Sequence, residues 1–403
     1  FCAAIAAARE GVKVVLIEPS AHVGGVNTGG LSFSDSNQTV RSTLRGLFEE
    51  WHTRIAADYA EHGVKLPYDV ATKNNAIWTY EPHAAARVTI AMLKEAGVTV
   101  LTKQPLEGVE KEGARIVSLR TSADVHTAKV FIDATYEGDL MAKAGVSYHV
   151  GREANSVYGE EWNGNQVGIL HHGHHFGAVK KPVSAYKIPG DPASGLLPRI
   201  SAEPPGVRGE GDKRVQAYCF RWCATDHPDN RIPFPKPAKY DAAQYELVVR
   251  VLEAGWRQTF HKFDLLPNRK TDTNNHGPFS FDNIGMNYDY PEASYERRKE
   301  ILAEHRTYQQ GLLWFLANDP RVPADVREEA NRWGLPKDEF KDNGHWPHQI
   351  YVREARRLTA DVVVNENHLK QKRPTPRSVG MGSYNMDSHN VQRIVVQDAD
   401  GKA

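Results

Sequence analysis

Cysteine is scarce in this chain of 403 residues, which has only Cys2, Cys219 and Cys223. Three thiols cannot build the disulfide framework of a small secreted scaffold. Net charge is missing too, because 50 lysines and arginines meet 50 aspartates and glutamates. Such a balance excludes bulk electrostatic capture of nucleic acid or an anionic membrane. No apolar run approaches the roughly 20 residues that a membrane-spanning helix needs. What is present is 40% hydrophobic and 25% charged residues, the mixture of a chain with a packed core. At this length two joined domains are expected.

Cys219 and Cys223 flank Phe220, Arg221 and Trp222 and share a face whether the stretch is helical or extended. Packing thiols in an apolar aromatic segment are one reading, a reactive pair the other. Phe1–Arg9 reads as the middle of an alanine-rich helix without a cap or signal peptide, and Ile394–Val396 as a strand entering a turn. A fragment is therefore expected.

After that helix, Gly11 fits a helix stop, and Val12–Ile17 is a β-branched run suited to a strand buried on both faces of a parallel sheet. The run ends in Glu18. An acid there, about 20 residues past a glycine-rich loop, accepts hydrogen bonds from the adenosine ribose in dinucleotide-binding units. Gly24-Gly25 and Gly29-Gly30 follow at once, and paired glycines let backbone approach a ligand without Cβ interference. Val98–Thr102 and Arg115–Arg120 have strand character and short spacing, which predicts a small antiparallel meander. They lead into an apolar strand, Lys129–Asp133, then Ala134-Thr135-Tyr136-Glu137-Gly138-Asp139 opening a helix.

The order of these motifs resembles the glutathione-reductase-like FAD proteins. Phe131–Leu140, Val150–Glu153, Gly190–Pro198, Asn274–Pro278, Gly344–Gln349 and Gly380–Tyr384 extend the likeness over the chain. They resemble a family of large FAD-dependent oxidoreductases, distant relatives of the fumarate reductase and succinate dehydrogenase flavoproteins. The second turn departs from the family's Ala-Thr-Gly by Tyr136 and Glu137. The resemblance implies an α/β fold. Residues 1–150 would form a Rossmann-like FAD-binding domain with a parallel sheet and inserted β-meander, lacking the first strand and glycine-rich loop. Residues 151–403 would form a mixed α+β substrate region, helical over 291–366, lacking the segment that closes over the flavin. By position, Glu18 would bind the ribose and Gly24 and Gly25 would line the FAD. The backbone near Leu106 would meet the adenine, and Ala134, Thr135, Gly138 and Asp139 would form the second turn.

Helices are expected over 241–259, 291–317, 324–333 and 349–365, with Tyr295, Ile301, His305, Tyr308 and Leu312 as core positions of the second. The catalytic candidates start at Asn343–Arg357. There Gly344, Trp346 and Pro347 fix a turn displaying His345 and His348, and a following helix would align Arg353 with Arg357. Histidine and arginine can take a proton on oxidation or stabilise an anion on reduction. Alternatively, Glu354 pairs with its arginine neighbours and the histidines satisfy backbone carbonyls. Tyr384, Asp387 and His389 form a second polar group, suited to a substrate pocket or to a hydrogen-bonded turn. Asn274-Asn275-His276 is a third candidate loop.

His171-His172-Gly173-His174-His175 suggests a metal, but neighbouring histidines on one loop seldom converge, and no metal is predicted. Asn37-Gln38-Thr39 is formally a glycosylation sequon and is discounted beside the glycine loop. The expected partners are a small polar substrate, in the sugar or polyol class, and an electron acceptor that the residues do not identify. Two rivals are a nicotinamide-only dehydrogenase, which has no need of the second glycine pairs, and a non-catalytic carbohydrate-binding or scaffold protein derived from a flavoenzyme.

Overall fold

The structure, a computed structural model, describes residues 1–36, 40–71, 77–169, 174–375, 377–380 and 384–396. The sequon at 37–39 and His171–Gly173 lie outside the described residues. Helix α1 (Cys2–Arg9) buries Ile5, and Gly11 follows at φ +80°, a conformation glycine adopts without strain. The strand Val15–Ile17 pairs in parallel with Thr99–Leu101, Val15 opposite Thr99. Between them run α2 (Gly46–Glu61) and α3 (Pro82–Glu95), neither anticipated from the sequence. Trp51, Ile55 and Tyr59 on α2 recur every fourth residue, and Ala85, Val88 and Met92 do much the same on α3. With Ile5 and Tyr80 they form the smaller of the two main apolar clusters.

Two strand expectations change. Val98–Thr102 contributes to the parallel pair, while the meander consists of Leu106–Glu112, Arg115–Thr121 and Val125–Thr127. The run Lys129–Asp133 forms no strand, leaving Val130 74% and Ile132 61% exposed. A strand exists only through its ladder, and none reaches this run among the described residues. The parallel sheet is therefore a pair.

Short helices α4 (Asp139–Lys143) and α5 (Asn155–Tyr158) lead into the larger half. The helix expected over 241–259 is a turn at Ala242–Tyr245 running into α6 (Glu246–Glu253), and Gly255 at φ +95° follows its end. Helix α7 (Tyr295–Asn318) starts after a separate turn at Tyr290–Glu292, and the Ser294 side chain caps it by accepting Arg297 N–H. Ile301, His305, Tyr308 and Leu312 are buried as expected. Helices α8 (Ala324–Arg332) and α9 (Glu366–Leu369) follow.

The helix expected over 349–365 is absent. Ile350–Tyr351 pairs with Cys219–Phe220, and Arg357–Leu358 with Tyr148–His149. Long-range pairing and ion pairs override the helix propensity of this arginine-rich stretch. The larger apolar cluster joins Trp222, Tyr308, Phe315, Leu316 and Trp346. Gln309 fixes α7 to a strand by accepting Phe220 N–H at 2.7 Å and donating to Phe220 C=O at 3.0 Å.

Two buried histidines predict acid sensitivity. His52, among Trp51, Trp78 and Tyr80, is pushed by burial, then by Arg41, to about 3, and burial pushes His305 to about 4. The unfolded chain takes these protons from about pH 6.5 downward, whereas the folded one refuses them until about pH 4. Stability is thus complete above about pH 6.5 and is expected to fall as pH drops below it, by about 1.4 kcal/mol per pH unit per histidine. Urea midpoints at pH 7 and pH 5 check this; equal midpoints would contradict it.

Candidate functional site

Glu18 ends its strand half-buried, its N–H bonded to Leu101 C=O at 2.8 Å and its Oε1 accepting Ser20 N–H at 2.8 Å. Gly24 and Gly25 both take positive φ, +109° and +61°. A Cβ at Gly25 would lie 2.2 Å from Tyr136 Oη, which accepts the Val26 N–H at 3.0 Å. Tyr136, inserted in the second turn, therefore closes onto the glycine loop. At Gly30, φ +124°, a Cβ would lie 1.8 Å from Arg221 C=O, so this loop presses against the larger half. Asp272 holds the same place: Oδ2 accepts Ser32 N–H at 2.9 Å and Phe33 N–H at 3.0 Å, while Oδ1 pairs with Arg221 at 2.7 Å.

The second turn caps itself. Asp133 accepts Thr135 and Met141 N–H, and Thr135 Oγ1 accepts Gly138 N–H at 2.9 Å and Asp139 N–H at 3.3 Å. Ala134 and Thr135 are exposed. The Asp139 carboxylate turns inward, to Arg298 at 2.7 and 2.9 Å and to Arg356 at 2.8 Å. Burial would raise its pKa, yet these guanidiniums hold it below the usual carboxylate value. The Leu106 N–H, expected to face adenine, donates to Tyr295 Oη at 3.2 Å.

The catalytic candidates part company. His345 Nδ1 meets Glu339 C=O at 3.0 Å, the backbone-satisfying alternative. His348 meets Asp342 at 3.0 Å and stacks on His22 at 4.6 Å, beside the glycine loop. Burial, then the His348 charge, pushes His22 down to about 4. Extended backbone sends Arg353, Arg356 and Arg357 to different partners, so Arg353 and Arg357 share no helix face. Glu354 accepts Gln216 N–H at 2.7 Å and pairs with Arg357 at 3.4 Å. Tyr384 is 53% exposed, and Asp387 is exposed too. In the third candidate loop Asn275 is buried, and His276 Nε2 meets Gln258 at 2.9 Å.

Arg353 and His389 do converge, on Asp282. Its Oδ2 lies 2.6 Å from His389 Nδ1 and its Oδ1 3.2 Å from Arg353 Nη2. Burial would raise the Asp282 pKa, but His389 and Arg353 hold it well below the ordinary carboxylate range. An ionised carboxylate only accepts, so Nδ1 carries the proton and Nε2 is left as the basic nitrogen. Arg353 also donates to Ala217 C=O at 2.9 Å and to Cys219 Sγ at 3.4 Å. Cys219 and Cys223 are both buried, and burial pushes the Cys219 thiol up to about 12, which makes the packing reading the right one. Asp282 escaped the sequence reading; its signal is an acid inside the aromatic run Phe279-Ser280-Phe281-Asp282-Asn283.

A second charged group joins the halves. Lys270 Nζ, fully buried, lies 2.5 Å from Glu81, 2.8 Å from Asp338 and 2.6 Å from Glu339. His83 Nδ1 meets Glu339 at 2.6 Å. Ligand atoms of Glu81, His83, Asp338 and Glu339 lie within 4.8 Å of one another, a spacing that suits a cation, and the lysine ammonium stands among them. No helix among the described residues is long and apolar enough to cross a membrane.

Solved structures with partial likeness include L-proline dehydrogenase from P. horikoshii, at 16% identity over 38% of this chain and 54% of that one, TM-score 0.28. THI4 of Thermovibrio ammonificans matches at 20% over 38% and 61%, TM-score 0.25. The Diels-Alderase PyrE3 of pyrroindomycin biosynthesis matches at 12% over 82% and 76%, TM-score 0.30. This chain thus covers 54% and 61% of the first two. No curated protein matches it. A family model described as FAD dependent oxidoreductase matches residues 1–402, and the chain belongs to that family.

Proposed function

We propose that the protein oxidises or reduces a small polar organic substrate by hydride exchange with FAD, with His389 as the group that handles the proton. The observation that carries this reading is the His389–Asp282 contact at 2.6 Å. The residues present fit the cofactor at its ribose end. Glu18 offers a half-buried carboxylate at the carboxyl edge of the parallel pair, and Gly24 and Gly25 take positive φ in the loop that follows, packed against the side chains of Thr28 and Tyr136. At the second turn the N–H groups of Thr135, Gly138 and Asp139 are held by Asp133 and Thr135 and the Asp139 carboxylate by two arginines, so Ala134, Thr135, Gly138 and Asp139 would meet the cofactor through what remains of their backbone.

When bound, FAD supplies the two-electron acceptor or donor. The chain supplies positioning and proton handling. Asp282 orients the His389 ring and stabilises its cation once Nε2 has taken the proton that an alcohol or amine loses on oxidation. Arg353 keeps Asp282 ionised and so fixes the tautomer. In the reverse direction the same nitrogen returns the proton. The sugar or polyol class rests on the aromatic and histidine-rich stretch before His276.

The test is anaerobic bleaching of the bound flavin by a panel of alcohols, amines and organic acids, in wild type and His389→Gln. Bleaching at least tenfold slower in the variant, with flavin still bound, is expected. Equal rates with every active donor would exclude His389 as the base.

A further inference from the structure

The segment carrying His389 also carries a buried cation, Arg393. Arg393 is 7% exposed, and its Nη1 and Nη2 are both buried with no hydrogen-bond partner among the described residues. Its guanidinium lies 5.1 Å from the centre of the Phe279 ring. Nearby charges are already committed. Arg199 bonds Asn283 at 2.7 Å, Glu304 at 2.5 Å and Gln244, and Asp282 is shared by Arg353 and His389. Three guanidiniums, Arg199, Arg353 and Arg393, thus face two carboxylates, Glu304 and Asp282, which leaves one positive charge in surplus.

The backbone at and just before Arg393 is tied down. Its own C=O accepts Ser201 N–H at 2.8 Å, Val391 C=O accepts Tyr288 Oη at 2.6 Å, and Asn390 C=O accepts Ala217 N–H at 3.1 Å. Burial pulls its pKa down, yet a guanidinium stays charged at neutral pH. The Phe279 ring also borders a recess that holds a second unpartnered donor. That ring lines a recess with Trp256, Thr259, His276 and Ser280, and the buried Trp256 Nε1 has no partner among the described residues either.

We infer that Arg393 is the receptor for a carboxylate group of the substrate, which is therefore a small organic acid. An ionised carboxylate is acceptor-only and offers two oxygens to the two idle nitrogens of the fork. Its single charge cancels the single surplus, whereas a phosphate dianion would overshoot it and cost more to desolvate. Asp282 lies 2.6 Å from His389 Nδ1 and its charge also acts on Arg393, so the two groups share one neighbourhood and can meet two parts of one molecule. This assignment rests on the proposed role of His389 for the reacting end, and hydroxy acids, sugar acids among them, satisfy both.

The experiment is calorimetric titration of the flavin-loaded protein with sodium acetate, sodium phosphate and sodium chloride at matched ionic strength, using wild type, Arg393→Met and His389→Gln. Acetate is expected to bind wild type and His389→Gln saturably, and Arg393→Met at least tenfold more weakly, with phosphate and chloride not competing in wild type. Acetate binding no better than chloride, binding unchanged in Arg393→Met, or phosphate binding as tightly as acetate would each overturn the inference. So would an Arg393→Met protein that does not fold, because the arginine would then be a structural cation. The two readings separate cleanly: acetate bound through Arg393 with flavin reduction indifferent to His389→Gln removes the proton-handling role alone.

Discussion

Replacing Lys270 by methionine is expected to cost about 3–5 kcal/mol of stability, the usual result of removing one partner from a buried ion cluster. The ammonium is fully buried and sits between Glu81 from the smaller half and Asp338 and Glu339 from the larger. Burial works against its charge, but the carboxylates raise its pKa above the ordinary lysine value. Without it, acids whose ligand atoms lie within 4.8 Å of one another repel with nothing between them. The loss should shrink toward pH 5, where an orphaned acid can take a proton. In Lys270→Ala, which opens space as well, added Mn²⁺ should restore part of the midpoint by occupying the vacated position. Urea midpoints read all three; a Lys270→Met protein as stable as wild type would show that the cluster is only decorative.

Asp282→Asn should damage two properties at once. The amide no longer dictates which nitrogen of His389 carries the proton, so flavin reduction by an active donor is expected to slow by about 10²- to 10⁴-fold. Arg353, 7% exposed at its side chain, also loses its counter-charge, and stability should fall by a few kcal/mol. Comparing Asp282→Asn with Asp282→Asn/Arg353→Met distinguishes these effects. The double variant should recover stability without recovering rate. Recovery of both would mean that Asp282 acts through packing and not through the imidazole.

The parts of the fold legible in the sequence are those set by nearby residues. The helix at 295–318 announces itself through apolar spacing and a serine cap, and the acid strand through Val12–Ile17, although only Val15–Ile17 pairs and Val15 is exposed instead of buried on both faces. The run at 349–365 misleads, because its arginines and glutamate are helix formers individually but are claimed by distant acids: Asp282, Asp139 and Glu153. Lys129–Asp133 misleads in the opposite sense, since strand composition needs a neighbour to become a strand. At the site, Arg353 and His389 were recognisable as chemically suited residues. Asp282, which brings them together, was not, because it lies roughly a hundred positions from His389 and spacing carries no signal over that distance. Lys270 reads as one lysine among many until Glu81 and Glu339 are placed beside it.

The hanging of His389 and Arg393 on one late segment has a consequence for biogenesis. Translation proceeds at about 5–20 residues per second, and domains fold from the amino-terminal side. Asp282 therefore leaves the ribosome about 5–20 s before His389 can reach it. During that interval the emerging chain can bury its aromatic core and its Lys270 cluster, while Asp282 still waits for the His389 imidazole. If His389 handles the proton as proposed, a chain that has not yet reached residue 389 lacks that group even where Asp282 and Arg353 are already in place.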